Sequence, residues 1–292
     1  MNENSKCPIC GGKTVKQNAV FSNFIKERVF DNVDVSTDVL ICENCGFQYS
    51  SYRYNEMEVQ KLYNGYRNEH YQKQRQRHDV WYTPQINALI GKNDTEIKNR
   101  VKNMINILER NIPNGLKSIE KVLDWGGDKG QFIPKQIKEK YLYDISNIEC
   151  VEGVSVINPY ETNKDWDLVM CCHVLEHLAN PIEVLESINS IMQKDKYLYV
   201  ELPYELGKSN IFSNVGFLFN KYFSWKNIIK HYINIKKLGA CRIISEHINF
   251  YTPEAISKQL ENCGFKVVEV SVNKINQEWC KGSIISVLAY KI

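Results

Sequence analysis

The chain has 292 residues, room for one large α/β domain and a small module. With 43% hydrophobic and 24% charged residues it has the composition of a globular protein. Its net charge of +3 is too slight for a nucleic-acid surface, which needs clustered Lys and Arg, so no nucleic-acid partner is expected. Residues Met1 to Lys6 lack the apolar core of a signal peptide, and no apolar run reaches the roughly 18 residues of a membrane span. The expected location is therefore cytoplasmic, with no transmembrane segment. In such a reducing compartment, the ten cysteines point to metal or catalysis before disulfides.

Two C-x-x-C turns open the chain, Cys7-Pro8-Ile9-Cys10 and Cys42-Glu43-Asn44-Cys45, each followed by glycine. This spacing lets the thiolates of Cys7, Cys10, Cys42 and Cys45 reach one tetrahedral ion. Val29 to Ile41 reads as short strands between the turns. The pattern resembles a zinc ribbon over residues 1–52. Four thiolates leave no open position, so the zinc is expected to be structural. The other six cysteines lack the pattern and read mostly as small buried side chains.

Residues 53–115 form a polar helical linker or cap. Its basic run, Lys73 to His78, reads as the solvated face of a helix. Tyr63, Tyr66, Tyr71, Trp81 and Tyr82 either pack over a ligand or join the small module to the large one. Val101, Met104, Ile105 and Leu108 stand at helical spacing, and Pro113-Asn114-Gly115 ends that helix.

From residue 116 to 292 strand and helix signals alternate, which predicts a mostly parallel sheet with helices on both faces. Strands are expected at Lys121–Asp124, Tyr141–Asp144, Trp166–Cys171, Tyr197–Pro203, Lys266–Val272 and Ser283–Tyr290. Helices are expected after Gly130, with Phe132, Ile133 and Ile137 inward, after Asn180-Pro181, and after Thr252-Pro253. The first strand runs into Asp124-Trp125-Gly126-Gly127-Asp128-Lys129-Gly130, where glycines let the backbone approach a ligand. A glycine-rich turn of this kind is shared by several nucleotide sites. Asp144, ending the next strand, either accepts bonds from a vicinal diol or is a plain strand-end turn residue.

The run Val122 to Gly130 resembles the first motif of class I S-adenosylmethionine (SAM)-dependent methyltransferases, and Trp166 to Pro181 resembles their fourth-strand motif. Glu246-His247-Ile248-Asn249-Phe250-Tyr251-Thr252-Pro253, with Cys263-Gly264-Phe265, is similar to the closing pattern of a branch that carries a zinc-binding segment and methylates nucleotide-linked deoxysugars. The resemblance implies a Rossmann-like α/β fold. It places Asp124, Trp125, Gly126, Gly127, Gly130, Cys172 and His173 around SAM, with Asp144 on the ribose. Asp128 stands where the superfamily often has glycine, so the turn is expected to differ slightly.

The resemblance also makes His247 the candidate base, since removing the acceptor's proton calls for a group poised near neutral pH. That branch carries tyrosine three residues earlier, where this chain has Ile244, which weakens C-methylation and brings O-methylation forward. His70 and His78 read as solvent-facing, His173 as lining the cofactor pocket, and His177 as structural. Residues 204–242, rich in aromatics, read as a lid or acceptor pocket, or else as an amphipathic surface helix. The expected acceptor is a small polar molecule, a nucleotide-linked sugar or glycan precursor. An NAD-dependent sugar-nucleotide enzyme and a non-catalytic SAM-binding scaffold stay open as alternatives.

Overall fold

The computed structural model describes residues 6–66, 68–79, 82–89, 93–145, 149–161, 165–206, 242–276 and 281–292. Trp81, His231, Cys241, Cys280 and most of the expected 204–242 insertion lie outside the described residues.

The large sheet contains β4 (Lys121–Trp125), β5 (Glu139–Tyr143), β6 (Ser155–Val156), β7 (Leu168–Cys172), β8 (Tyr197–Pro203), β11 (Phe265–Asn276) and β12 (Lys281–Lys291). Their spatial order is β11-β12-β8-β7-β4-β5-β6. The β6 to β8 half is parallel, and β12 adds antiparallel to β8. The chain leaves β4 in one direction and returns through β7 in the other. The topological switch point therefore lies at the carboxyl ends of β4 and β7, where sheets of this kind form their ligand crevice.

Alternating residues send side chains to opposite faces. Val122, Leu168, Met170 and Tyr199 share a core with Met104, Ile107 and Leu108 of α5 (Asp94–Asn111). Leu123, Val169, Cys171, Leu198 and Val200 pack against Leu185 and Ile188 of α6 (Pro181–Ile191) and Ala255, Ile256 and Leu260 of α7 (Pro253–Asn262). Helices thus cover both faces, as the strand–helix alternation predicts. Thr252 caps α7 by accepting from the Ala255 N–H at 2.8 Å. Asn180 stands at the N-cap of α6, but its side chain makes no capping bond.

The helix expected after Gly130 does not form. Residues 126–138 make successive tight turns instead, with bonds from Gly130 N to Gly127 O, Ile133 N to Gly130 O and Ile137 N to Pro134 O. Pro134 removes one amide donor and drives Ile133 out of the helical region. Phe132, Ile133 and Ile137 are still buried, so the turns fill the space on that face that a helix would occupy.

A second sheet has the order β10-β3-β2-β1-β9. Its centre is β1 (Thr14–Phe21), β2 (Thr37–Cys42) and β3 (Gln48–Ser50); its edges are β9 (Arg242–Ile244) and β10 (Asn249–Phe250). The expected strand start at Val29 is displaced, because Asn23–Arg28 forms helix α1, capped by Ser22. β9 runs parallel to β1 and β10 antiparallel to β3, so this sheet crosses the expected boundary at residue 52. Helices α2 (Glu56–Tyr63), α3 (Glu69–His78) and α4 (Pro84–Leu89) lead on from it. Phe21, Phe24, Ile25, Leu62, Tyr71 and Tyr82 form its core with Ile244 and Ile248. The tyrosines therefore join the two halves. The basic run is only partly solvated: Arg75 is buried, and His78 pairs with Glu27 instead of facing solvent.

Beneath the crevice, Arg100 of α5 donates to Glu201 of β8 at 2.6 Å, with both side chains buried and the guanidinium 3.7 Å from the centre of the Phe132 ring. Replacing Arg100 with Met is expected to cost about 3–5 kcal/mol, since it strands a buried carboxylate. Glu201→Leu in the same chain restores most of the loss. Urea denaturation of the single and double variants measures both.

Candidate active site

The turn after β4 is built around one carboxylate. Asp124 is fully buried, and neither of its oxygens has a hydrogen-bond partner. Burial pushes its pKa up to about 7, and the negative charge of Asp144 adds to the rise. A Cβ on Gly127 would stand 2.0 Å from the Asp124 Oδ2, so only glycine fits there. Gly126 and Gly130 have φ of +72° and +73°. Asp128, at the position where glycine is usual, adopts φ +58°, so the substitution leaves the left-handed turn in place. Its amide N–H donates to Asp144 Oδ2 at 2.9 Å, which fixes the carboxylate at the end of β5 against the turn.

Trp125 is buried, with its ring edge-on to Tyr143 at 4.7 Å. Cys172, also buried, ends β7 beside the crevice, and burial pushes its thiol well up, so it stays a neutral side chain there. His173 follows in a left-handed conformation, φ +57°. Its Nδ1 lies 3.2 Å from Glu176 and its Nε2 3.4 Å from Glu201. Burial disfavours the charged ring and Arg100 repels it, but the two carboxylates hold its pKa above the ordinary value. Glu201 feels the converse: burial would raise its pKa, yet Arg100 and His173 hold it at about 2.

A second cluster adjoins the first. His247 and His177 meet edge to face with ring centres 4.7 Å apart. His247 Nδ1 is 2.8 Å from Glu205 Oε2, and His177 Nδ1 is 3.0 Å from the Tyr63 hydroxyl. Burial lowers the pKa of His247, but Glu205, Glu176 and Glu246 outweigh it and push the value up to about 9. Glu246 itself is held by Arg75 at 2.8 Å and by the Tyr71 hydroxyl, both from α3.

Two clusters emerge. Asp124, the glycine turn, Asp144, Cys172 and His173 converge at the crevice. His247 lies with His177, a residue that reads as structural in sequence. Glu201, Glu205, Arg100 and Tyr63 carry no motif of their own, whereas Glu176 lies within the Trp166–Pro181 run, three residues after His173. Separately, Cys7, Cys10, Cys42 and Cys45 bring their sulfurs within 4.8 Å of one another, a geometry able to hold a metal ion. Gly46 has φ +70°, and the Cys45 carbonyl accepts from Thr252 Oγ1 at 2.6 Å, docking this knuckle on the start of α7.

The raised pKa of Asp124 has a definite sign for stability. Its folded value lies above the ordinary 3.8, so the folded chain binds the extra proton and loses stability as pH rises from about 4 through about 7. Asp124→Asn is expected to remove that slope and to raise unfolding free energy at pH 8 by a few kcal/mol, on the order of the linked shift. Thermal or urea unfolding from pH 5 to 8 measures it.

A methyltransferase-domain family model matches residues 95–270, more than half of the chain. No curated protein matches it. Solved structures similar to it include a putative methyltransferase from Bacillus halodurans, 12% identical, covering 65% of this chain and 98% of that one, TM-score 0.43. The N-methyltransferase NodS from Bradyrhizobium japonicum, solved with S-adenosyl-L-homocysteine, is 10% identical over 68% of this chain and 89% of its own, TM-score 0.42. A magnesium protoporphyrin IX methyltransferase from Synechocystis, also solved with that ligand, is 13% identical over 68% and 84%, TM-score 0.41. With the family matched from α5 to β11 across the crevice of a Rossmann-like sheet, this chain belongs to the SAM-dependent methyltransferases.

Proposed function

We propose that the chain methylates an oxygen or carbon of a small polar acceptor, a nucleotide-linked sugar or glycan precursor, and that a structural zinc ion holds its N-terminal cysteines together. One observation carries the site: a buried carboxylate, Asp124, without a hydrogen-bond partner at a glycine turn in the crevice. An orphaned buried acceptor of this kind calls for a donor from outside the chain. The ammonium of the donor's amino-acid end supplies one, the left-handed turn leaves room beside it, and Asp144 on the neighbouring strand faces the ribose. The sugar acceptor rests on the resemblance of the Glu246–Pro253 run.

When bound, SAM supplies a methyl group on a sulfonium whose departure needs no proton. The protein's task is to align the acceptor at near-attack distance and to free its lone pair. His247 is the residue we assign to activating the acceptor. It stands on the segment between β9 and β10, is partly exposed beside His177, and is oriented by Glu205. Cys7, Cys10, Cys42 and Cys45 supply a closed thiolate set of the structural kind, with no position left for chemistry.

Calorimetry with SAM should register binding that weakens as pH falls below about 7, by at most about tenfold per unit, because Asp124 takes up a proton there. Absence of binding at pH 8 would overturn the reading. His247→Gln should retain SAM affinity and lose about a hundredfold or more in turnover. Cys42→Ser should lose about one equivalent of zinc and unfold at a lower temperature; elemental analysis and calorimetry check both.

A further inference from the structure

The cluster beside His247 contains a buried carboxylate that ring contacts leave unsatisfied. Glu176 is 1% exposed, and neither oxygen makes a hydrogen bond. Its nearest nitrogens are His173 Nδ1 at 3.2 Å and His177 Nε2 at 3.9 Å. A buried, ionised carboxylate in that position needs either well-aligned donors or a cation.

Two imidazoles face it with their far nitrogens already engaged. His247 Nδ1 donates to Glu205 at 2.8 Å. His177 Nδ1 lies 3.3 Å from the Glu246 carbonyl, an obligate acceptor for a proton on Nδ1, and 3.0 Å from the Tyr63 hydroxyl. Both contacts favour the tautomer that leaves the Nε2 lone pair free. This is the arrangement that surrounding groups impose on metal-binding histidines, through a carboxylate in one case and a backbone carbonyl in the other. One donor atom each from Glu176, His177 and His247 lie within 4.8 Å of one another.

We propose that Glu176, His177 and His247 form a second metal site, taking a divalent first-row transition ion. Two imidazoles and one carboxylate suit such an ion and, unlike the four thiolates, leave positions open. The side chains of His177 and His247 are 21% and 29% exposed, so the cluster is reachable from solvent. The site deepens the methyltransferase reading and rests on it for its role. His247 then activates the acceptor as a ligand instead of taking the proton itself. The acceptor class is a hydroxyl flanked by a second oxygen, such as a vicinal diol, which can occupy two adjacent positions. In the transfer, the hydroxyl proton passes to solvent, the oxygen forms a bond to the methyl carbon, and the carbon–sulfur bond breaks with its electron pair left on the thioether sulfur.

The test uses the full chain equilibrated with Co²⁺ and dialysed. Metal content and absorption are then read for the wild type and for Glu176→Gln, His177→Ala and His247→Ala. The wild type is expected to hold about two equivalents, one with intense thiolate charge-transfer bands and one with the weak visible bands of a nitrogen–oxygen site. Each variant should fall to about one equivalent, keeping the thiolate bands and SAM binding, which shows that the fold persists. A wild type with one equivalent, or variants that keep two, overturns the proposal. Turnover that survives removal of the second ion also overturns its role while leaving the methyltransferase reading intact. Loss of SAM binding in the wild type would be the failure of that reading instead, and the stoichiometry would still decide the ion.

Discussion

The backbone pairing that draws residues 242–250 into the N-terminal sheet is the constraint on which the rest of the structure depends. β9 and β10 are only three and two residues long, too short to stand alone, and each closes one edge of a sheet whose centre is more than 190 residues away in sequence. Edge strands with unpaired N–H and C=O groups are costly, and here both edges are satisfied by the same short segment. His247 lies between the two strands. Further bonds fix the segment to both halves: Ser22 N to Ile244 O, Ser50 N to Ile248 O, and Ile248 N to Glu176 O. The N-terminal cysteine module and the crevice are therefore mechanically one piece.

Electrostatics separates the roles of the buried acids. Glu201 and Glu246 are buried like Asp124, yet each faces a buried arginine, Arg100 or Arg75, and is held at about 2. Such pairs orient strands and helices, and each partner is costly to remove alone. Asp124 sits on the same sheet without a partner and near neutrality. The difference lies in which helices arrive with a cation: α5 reaches Glu201 and α3 reaches Glu246, whereas Asp124 lies against the glycine turn with no cation in contact among the described residues.

The compact turns of residues 126–138 show how the fold tolerates losing a regular element. Burying Phe132, Ile133 and Ile137 contributes about 1.5–3 kcal/mol each, whatever the backbone conformation that delivers them. No helix forms there, but the apolar spacing survives. Arg100 then stacks on Phe132, tying this loop to the ion pair below the crevice.

Much of this was legible in the linear chain. Short continuous apolar runs marked β4, β7, β8 and β12, because strands covered by helices on both faces are buried on both sides. The cysteine turns announced a cluster, since two C-x-x-C loops can close on one point from any direction. Asp124, the glycines and Asp144 were legible as one site because the turn and the next strand are adjacent in sequence. Only the tertiary structure decided the rest. Arg100, Tyr63 and the pair Glu201 and Glu205 come from three separate segments, and nothing local distinguishes them from solvated charges or core aromatics. His177 acquires its meaning from His247, seventy residues later, through strand pairing that no local pattern encodes. Periodicity and turn chemistry are properties of neighbours along the chain, whereas burial and charge pairing belong to neighbours in space.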